Sequence, residues 1–210
     1  IIPVIFFLFY ENTSKLETNI KSSGRSVFEL ISQPRFLQAL IASAFGYAIM
    51  TFLMTATPLS MHVMEKMSLS KTGLVIQFHV VAMFLPSLIT GNLVKKFGHS
   101  KIMYAGVFLY SITIIASFFD QTYYNYMFAL IFLGLGWNFL FISGTSLLVL
   151  TYKEEEKFKA QGLNDFIVYS VHATGSLSAG VLLVLTNWKR VHFLGIPYLL
   201  IMSITLVRAA

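Results

Sequence analysis

The sequence predicts an all-α fold, a polytopic bundle of transmembrane helices, and three observations carry that prediction. The chain is 56% hydrophobic and 11% charged, with mean hydropathy +0.73, where a soluble domain has about 25% charged residues. Its apolar residues fall in blocks about 20 long, enough to cross a hydrocarbon core of about 30 Å. Two such blocks, residues 72–90 and 102–119, contain no Asp, Glu, Lys or Arg and are joined by the short basic stretch Gly91–Lys101. Spans joined by so short a hairpin run antiparallel. A transmembrane β-barrel would instead show segments of about 10 residues alternating apolar and polar, a pattern absent from this sequence.

The chain opens inside an apolar run, Ile1 to Phe9, closed by Glu11. It is too short to span and reads as the end of a helix that starts outside this sequence, so the chain reads as a fragment of a longer protein. Residues 10–35 form a polar connector with both signs of charge. Within it Val27–Ile31 suits a short amphipathic interfacial helix, and Pro34 sits where a helix can start, because proline is tolerated in a first turn. Six spans follow, at about Phe36–Met61, Lys71–Val94, Lys101–Phe119, Tyr123–Thr151, Gln161–Thr186 and Val191–Val207. The polar turns Tyr152–Ala160 and Asn187–Arg190 flank the fifth.

Charge placement orients the bundle. Alternate connections put eleven of the fifteen Lys and Arg residues on one side, on connector 10–35, turn 95–101, turn 152–160 and the C-terminus. The other side holds Lys66, Lys71, Lys189 and Arg190. The richer side is expected to be cytoplasmic. The net charge of +6 is therefore a topology signal, and no nucleic-acid partner is expected.

The hairpin reads Gly91-x-Leu93-x-Lys95-Lys96-Phe97-Gly98-His99-x-Lys101. It resembles the cytoplasmic-loop signature of the major facilitator superfamily, in outline G-x-L-x-D-R-x-G-R-R/K, which recurs more weakly between helices eight and nine. The run Glu154 to Gly162 resembles that family's loop between helices ten and eleven. The resemblance implies that residues 1–9 end helix six, 10–35 form the central cytoplasmic loop and 36–210 are helices seven to twelve. It further implies a secondary transporter of a small solute, ion-coupled and working by alternating access, whose N-terminal six-helix half is missing here. Lys95 stands where the family signature has Asp, which removes the carboxylate that helps latch that loop.

Polar residues inside spans are costly and usually face a bundle interior or a cavity. Gln161, Asp165, Tyr169, His172 and Ser176 recur at steps of 4, 4, 3 and 4, which puts them on one helical face. The opposite face carries Ile167, Val171 and Leu182. Two roles suit the stripe: a water-accessible cavity wall, or interhelical hydrogen bonding worth about 0.6 kcal/mol per contact. Asp165 is the only carboxylate within a span. About one turn inside the helix start, it suits either dipole stabilisation with Lys157 or Lys159 as partner, or coupling and gating. Histidines titrate near physiological pH, so His172 and His79 suit either proton carriage or a neutral hydrogen-bonded role.

The fourth span places Trp137 and Asn138 near its middle. Tryptophan in membrane proteins prefers the interface, so a mid-span Trp beside an Asn suits either core packing or a pocket that stacks a flat solute and holds it by one polar contact. The resemblance makes helices seven and ten central to the cavity. Tyr47 and Thr51 would then face Asn138, with Phe141 on the same wall.

Enzymatic signatures are absent. There is no H-E-x-x-H, P-loop or dinucleotide fingerprint, the five histidines are scattered singly, and Glu154–Glu156 reads as a solvated charge run. The chain has no cysteine, which excludes Cys-based metal sites, and no metal or cofactor is expected. The alternatives are a non-transporting polytopic membrane protein, such as an assembly factor or receptor-like subunit, and after it an intramembrane enzyme. The Phe, Ile, Tyr and Lys bias fits an AT-rich genome and the cell (inner) membrane of a bacterium.

Overall fold

The computed structural model describes residues 24–209, so the reading of residues 1–9 and of most of the connector lies outside the described residues. A short helix α1 (Val27–Ile31) comes first. Ser26 and Glu29 form a reciprocal capping box at its start, with Ser26 N donating to Glu29 Oε2 at 2.6 Å and Glu29 N to Ser26 Oγ at 3.2 Å. Two amide groups that a helix start leaves unpaired are thereby satisfied. Helix α2 (Pro34–Pro58) begins on Pro34, at the N-terminal position that suits proline, and continues as a π-helical turn over Leu59–Met64.

The second span is two helices, α3 (Leu69–Phe84) and α4 (Ser87–Phe97), bent by 40° at the break. Pro86 supplies the cause: it has no amide to donate and its ring displaces the preceding turn. The hairpin is also tighter than the sequence suggests. Helix α4 runs through Lys95 and Lys96 to Phe97, and α5 (His99–Ala116) starts two residues later. The whole turn is Gly98, with φ of 86°, a conformation that a residue without Cβ adopts at little cost.

Helix α6 (Tyr123–Val149) follows. A 3₁₀ turn at Glu154–Glu156 leads into α7 (Lys157–Leu185), which starts one turn earlier than expected. The sixth span is again broken, into α8 (Trp188–Phe193) and α9 (Ile196–Ala209). Among the described residues five helical segments are long and apolar enough to cross a membrane, and the bent pair α3–α4 makes a sixth.

Helix α6 is the centre of the bundle and packs against α2, α3 and α5; α2 also packs against α7 and α9. In lipid, helices associate through close packing, which small residues permit. Gly134 lies against the α3 backbone, and Gly136 against Tyr110 and the Gly106 carbonyl of α5. Tyr110 then reaches across to donate its buried hydroxyl to Gly46 O of α2 at 2.6 Å. The exposed exception is α7. Only 17% of its most apolar window is buried, against 72% for the segment Pro34–Met64. One long flank of α7 is thus uncovered by the other described residues.

Candidate functional site

Where α2, α6 and α7 meet, aromatic side chains converge on Tyr47. Its ring stands edge-on to Trp137 at 5.5 Å, to Phe141 at 5.4 Å and to His172 at 4.8 Å, with Tyr169 at 6.4 Å. Trp137 and Phe141 are one helical turn apart on α6 and stack at 4.9 Å with planes 10° apart. Phe84, the last residue of α3, closes the far side of Trp137 at 5.8 Å. Such pairs add about 0.5–1.5 kcal/mol each beyond area burial, so the cluster is a stiff wall.

Two polar features punctuate this wall. His172 Nδ1 and Thr51 Oγ1 are 2.7 Å apart and share a hydrogen bond between α7 and α2. Trp137 is 4% exposed, and its indole N–H has no partner among the described residues. A buried donor left unpaired costs about 1–3 kcal/mol. The half-buried Tyr47, Phe141 and His172 can pack on a flat ring, and the enclosed Trp137 N–H becomes available to it only once a neighbouring ring rotates.

Asn138 is not part of the wall, and Tyr47 and Thr51 do not face it. It points toward the break in the second span. Its Nδ2 donates to Met83 O at 2.7 Å and to Ser87 Oγ at 2.6 Å, while Thr90 Oγ1 donates to its Oδ1 at 2.6 Å. These bonds bridge both sides of Pro86. Asn138→Ala is accordingly expected to lower the thermal unfolding midpoint, at a cost of about 1–2 kcal/mol, while leaving solute affinity within twofold. Unfolding scans beside binding assays check both parts.

The other sequence candidates separate. His79 is fully buried on α3 and bonds Leu130 O through Nδ1 at 2.7 Å, with no partner among the described residues for Nε2. It belongs to the α3–α6 seam. Asp165 lies two turns into α7, past the reach of a helix start, and is exposed. Among the described residues its one bond is from Asn164 Nδ2 at 3.2 Å. The expected pairing with Lys157 or Lys159 is not formed: Lys157 meets Glu154 at 3.4 Å, and Lys159 donates to Arg25 O at 2.9 Å. Gln161 is taken by the Tyr152 hydroxyl at 2.6 Å. In the loop motif, a Cβ at Gly91 would meet nothing within 4 Å, and Lys95, Lys96 and Lys101 are exposed.

Sequence reasoning missed Arg25 and Glu156. Glu156 is not solvated; its side chain is 1% exposed. Arg25 donates to it through Nε at 2.8 Å and Nη2 at 2.6 Å, with the Arg25 and Lys153 amides at 2.8 and 3.0 Å. The pair ties the connector to the α6–α7 turn. No periodicity could reveal a contact between residues 131 positions apart.

Comparison with known proteins gives a consistent picture. The profile described as Major Facilitator Superfamily matches residues 36–209. The riboflavin transporter RfnT of Brucella anthropi is 37% identical over 206 residues, 98% of this chain and 52% of that protein. Two uncharacterized MFS-type transporters of Bacillus subtilis also match. YddS is 31% identical over 81% of this chain and 39% of its own length, and YdeG 35% identical over 70% and 34%. The chain spans about half the length of RfnT and less of the other two. With its helical bundle of membrane-length segments, this chain belongs to the major facilitator superfamily, a family of multi-pass membrane transporters.

Proposed function

We propose that this chain is the second half of a secondary active transporter and forms one wall of the binding site for a flat heteroaromatic solute, riboflavin or a compound of its kind. The aromatic cluster carries this reading: Tyr47, Trp137 and Phe141 present ring faces and edges around an unpaired buried indole N–H. A flavin-type ring system offers a large apolar plane to stack and carbonyl oxygens to accept that hydrogen bond. The name of RfnT supports the solute class.

In this reading residues 36–210 are helices seven to twelve and residues 10–35 the cytoplasmic loop between halves. The basic end faces the cytoplasm of a bacterium across its inner membrane. The N-terminal six-helix half covers the open flank of α7 and completes the cavity, around which the halves rock. Asp165 and Tyr169 then line the access path, and the Thr51–His172 hydrogen bond at the cavity edge is the element that an ion gradient acts on.

The test is riboflavin uptake by the full-length protein in proteoliposomes, with and without an imposed pH gradient. Trp137→Ala is expected to raise the half-saturating concentration about tenfold, a loss of about 1.4 kcal/mol. Trp137→Phe keeps the stack, loses the N–H and falls between. His172→Ala is expected to remove the gradient dependence while leaving solute exchange. Unchanged kinetics in Trp137→Ala and Tyr47→Ala would reject the cavity wall, and a different solute carried through an intact wall would reject only the flavin class.

A further inference from the structure

A cavity and a motif stand outside the proposed solute site, and they coincide. The cavity, about 660 Å³, opens at the basic end between the start of α2, the α4–α5 turn and the end of α6. Its rim is cationic: Arg35 and Lys101 line it beside the His99 imidazole, and no Asp or Glu does. These are residues of the loop signature, in which Lys95 replaces the usual acid, together with the first turn of α2.

Arg35 is held in place without being neutralised. Its Nη1 donates to Gln38 Oε1 at 3.1 Å and Ser100 Oγ at 3.2 Å, and the buried Gln38 grips the same Ser100 through Nε2 at 2.9 Å. Among the described residues the ion pairs are Arg25–Glu156 and Lys157–Glu154, so Arg35, Lys95, Lys96 and Lys101 have no acidic partner there. Like charges brought together by three helices repel one another, and an anion on the rim reverses the sign. The planar guanidinium fork matches phosphate oxygens, and α5 opens on this rim with no side-chain cap on its first amides, which favours the same charge.

The remaining lining selects among anions. Phe97, Tyr104 and Leu150 are exposed in the cavity, and Lys96 Nζ sits 5.2 Å over the Phe97 ring. Tyr104 lies one turn beyond Lys101 along α5. Leu147 likewise lies one turn deeper than Leu150 on α6, so the lining passes from cationic rim to aromatic ring and apolar wall going inward from the basic end. That is the order in which a lipid presents phosphate, glycerol and acyl chain.

We propose that this cavity binds the phosphate group of an anionic lipid, with Arg35 and Lys101 on the phosphate, Phe97 and Leu150 flanking the rim, and Tyr104 and Leu147 against the first part of the chains. A free phosphate would occupy the rim alone. The site is separate from the aromatic solute wall and stands whether or not that wall binds a flavin.

The experiment uses the delipidated full-length protein in detergent, titrated with phosphatidylglycerol, with diacylglycerol, which lacks the phosphate, or with inorganic phosphate. Thermal unfolding and retained lipid by native mass spectrometry are read together. Phosphatidylglycerol is expected to raise the unfolding midpoint and remain bound, and diacylglycerol to do neither. Lys101→Gln is expected to weaken binding about tenfold. The Lys101 side chain makes no hydrogen bond among the described residues, so this variant keeps the fold even if Arg35→Gln does not. Lys189→Gln, outside the cavity, is expected to match the parent. A shift from inorganic phosphate equal to that from phosphatidylglycerol keeps the anion site and assigns it to free phosphate. Equal retention of phosphatidylglycerol by the parent and Lys101→Gln, or an equal response to diacylglycerol, overturns the proposal.

Discussion

Gly134→Val is expected to prevent α3 from seating on α6 and to remove most folded protein. A Cβ built at position 134 would lie 2.7 Å from the His79 carbonyl oxygen, 3.0 Å from Ala82 Cβ and 3.1 Å from the Met83 amide nitrogen. Two of these obstacles are backbone atoms, which cannot rotate away as a flexible side chain could. Overpacking costs about 1–3 kcal/mol and occasionally more, and a backbone obstacle puts this case at the upper end. The damage spreads, because α3 also supplies the Met83 carbonyl that Asn138 binds and the His79 ring that binds Leu130 O. Size-exclusion profiles of the detergent-extracted protein measure the outcome. Gly91→Val is the control, since nothing lies within 4 Å of a Cβ there. If both variants behave alike, close approach is not what the α3–α6 seam depends on.

Glu156→Gln is expected to release the connector from the bundle and to cost about 2–3 kcal/mol of stability. Breaking a fully buried pair costs about 3–5 kcal/mol. Arg25 is one-third exposed, so water recovers part of its solvation and the cost falls below that range. A Gln keeps the shape but cannot accept the paired guanidinium bonds and the two amides with a full charge. The pH dependence has a definite sign. Arg25 and its neighbouring amides hold the Glu156 carboxyl well below the usual carboxylate range. A depressed acid stabilises the fold fully above its unfolded value of about 4.5, and that contribution is lost as pH falls below it. Stability from this contact is thus flat from pH 5 upward by about 2–3 kcal/mol over the variant, and the two proteins converge in acid. Unfolding midpoints of parent and Glu156→Gln between pH 3 and 8 test this, and a constant difference down to pH 3 would argue against an ionic origin. Limited proteolysis after Lys21 or Arg25 reads the connector's release directly.

Much of the architecture was legible because membrane-length apolar blocks leave few alternatives. A backbone in hydrocarbon must satisfy its own hydrogen bonds, so each block is a helix. Pro34 at a helix start was readable as local chemistry; that the hairpin turns on Gly98 alone was not. The breaks at Leu85–Pro86 and Leu194–Gly195 were less readable than Pro34. Pro86 stands inside the second span, but a span tolerates proline with either a slight kink or a full break, depending on what receives the freed carbonyls. Here Asn138 receives one of them. The second break, just before Pro197, was not read from the mostly apolar run that starts at Val191.

The candidate site shows the same division within two adjacent residues. The sequence placed Trp137 and Asn138 near mid-span and treated them as partners. Neighbours on a helix point about 100° apart, and the structure sends Trp137 to Tyr47 and Phe141 but Asn138 to Met83, Ser87 and Thr90. Likewise the stripe on α7 was readable as a face, because spacing alone decides which residues share one. That His172 meets Thr51 while Asp165 stays open could not be read. Composition and periodicity thus determined that this chain is a bundle of membrane helices, where each begins within a few residues, and which side chains share a face. Tertiary structure alone decided what each face meets, which carboxylate is buried and which is solvated, and which polar groups remain unpaired. Those depend on contacts between residues up to 134 positions apart, and helical periodicity carries no information across such distances.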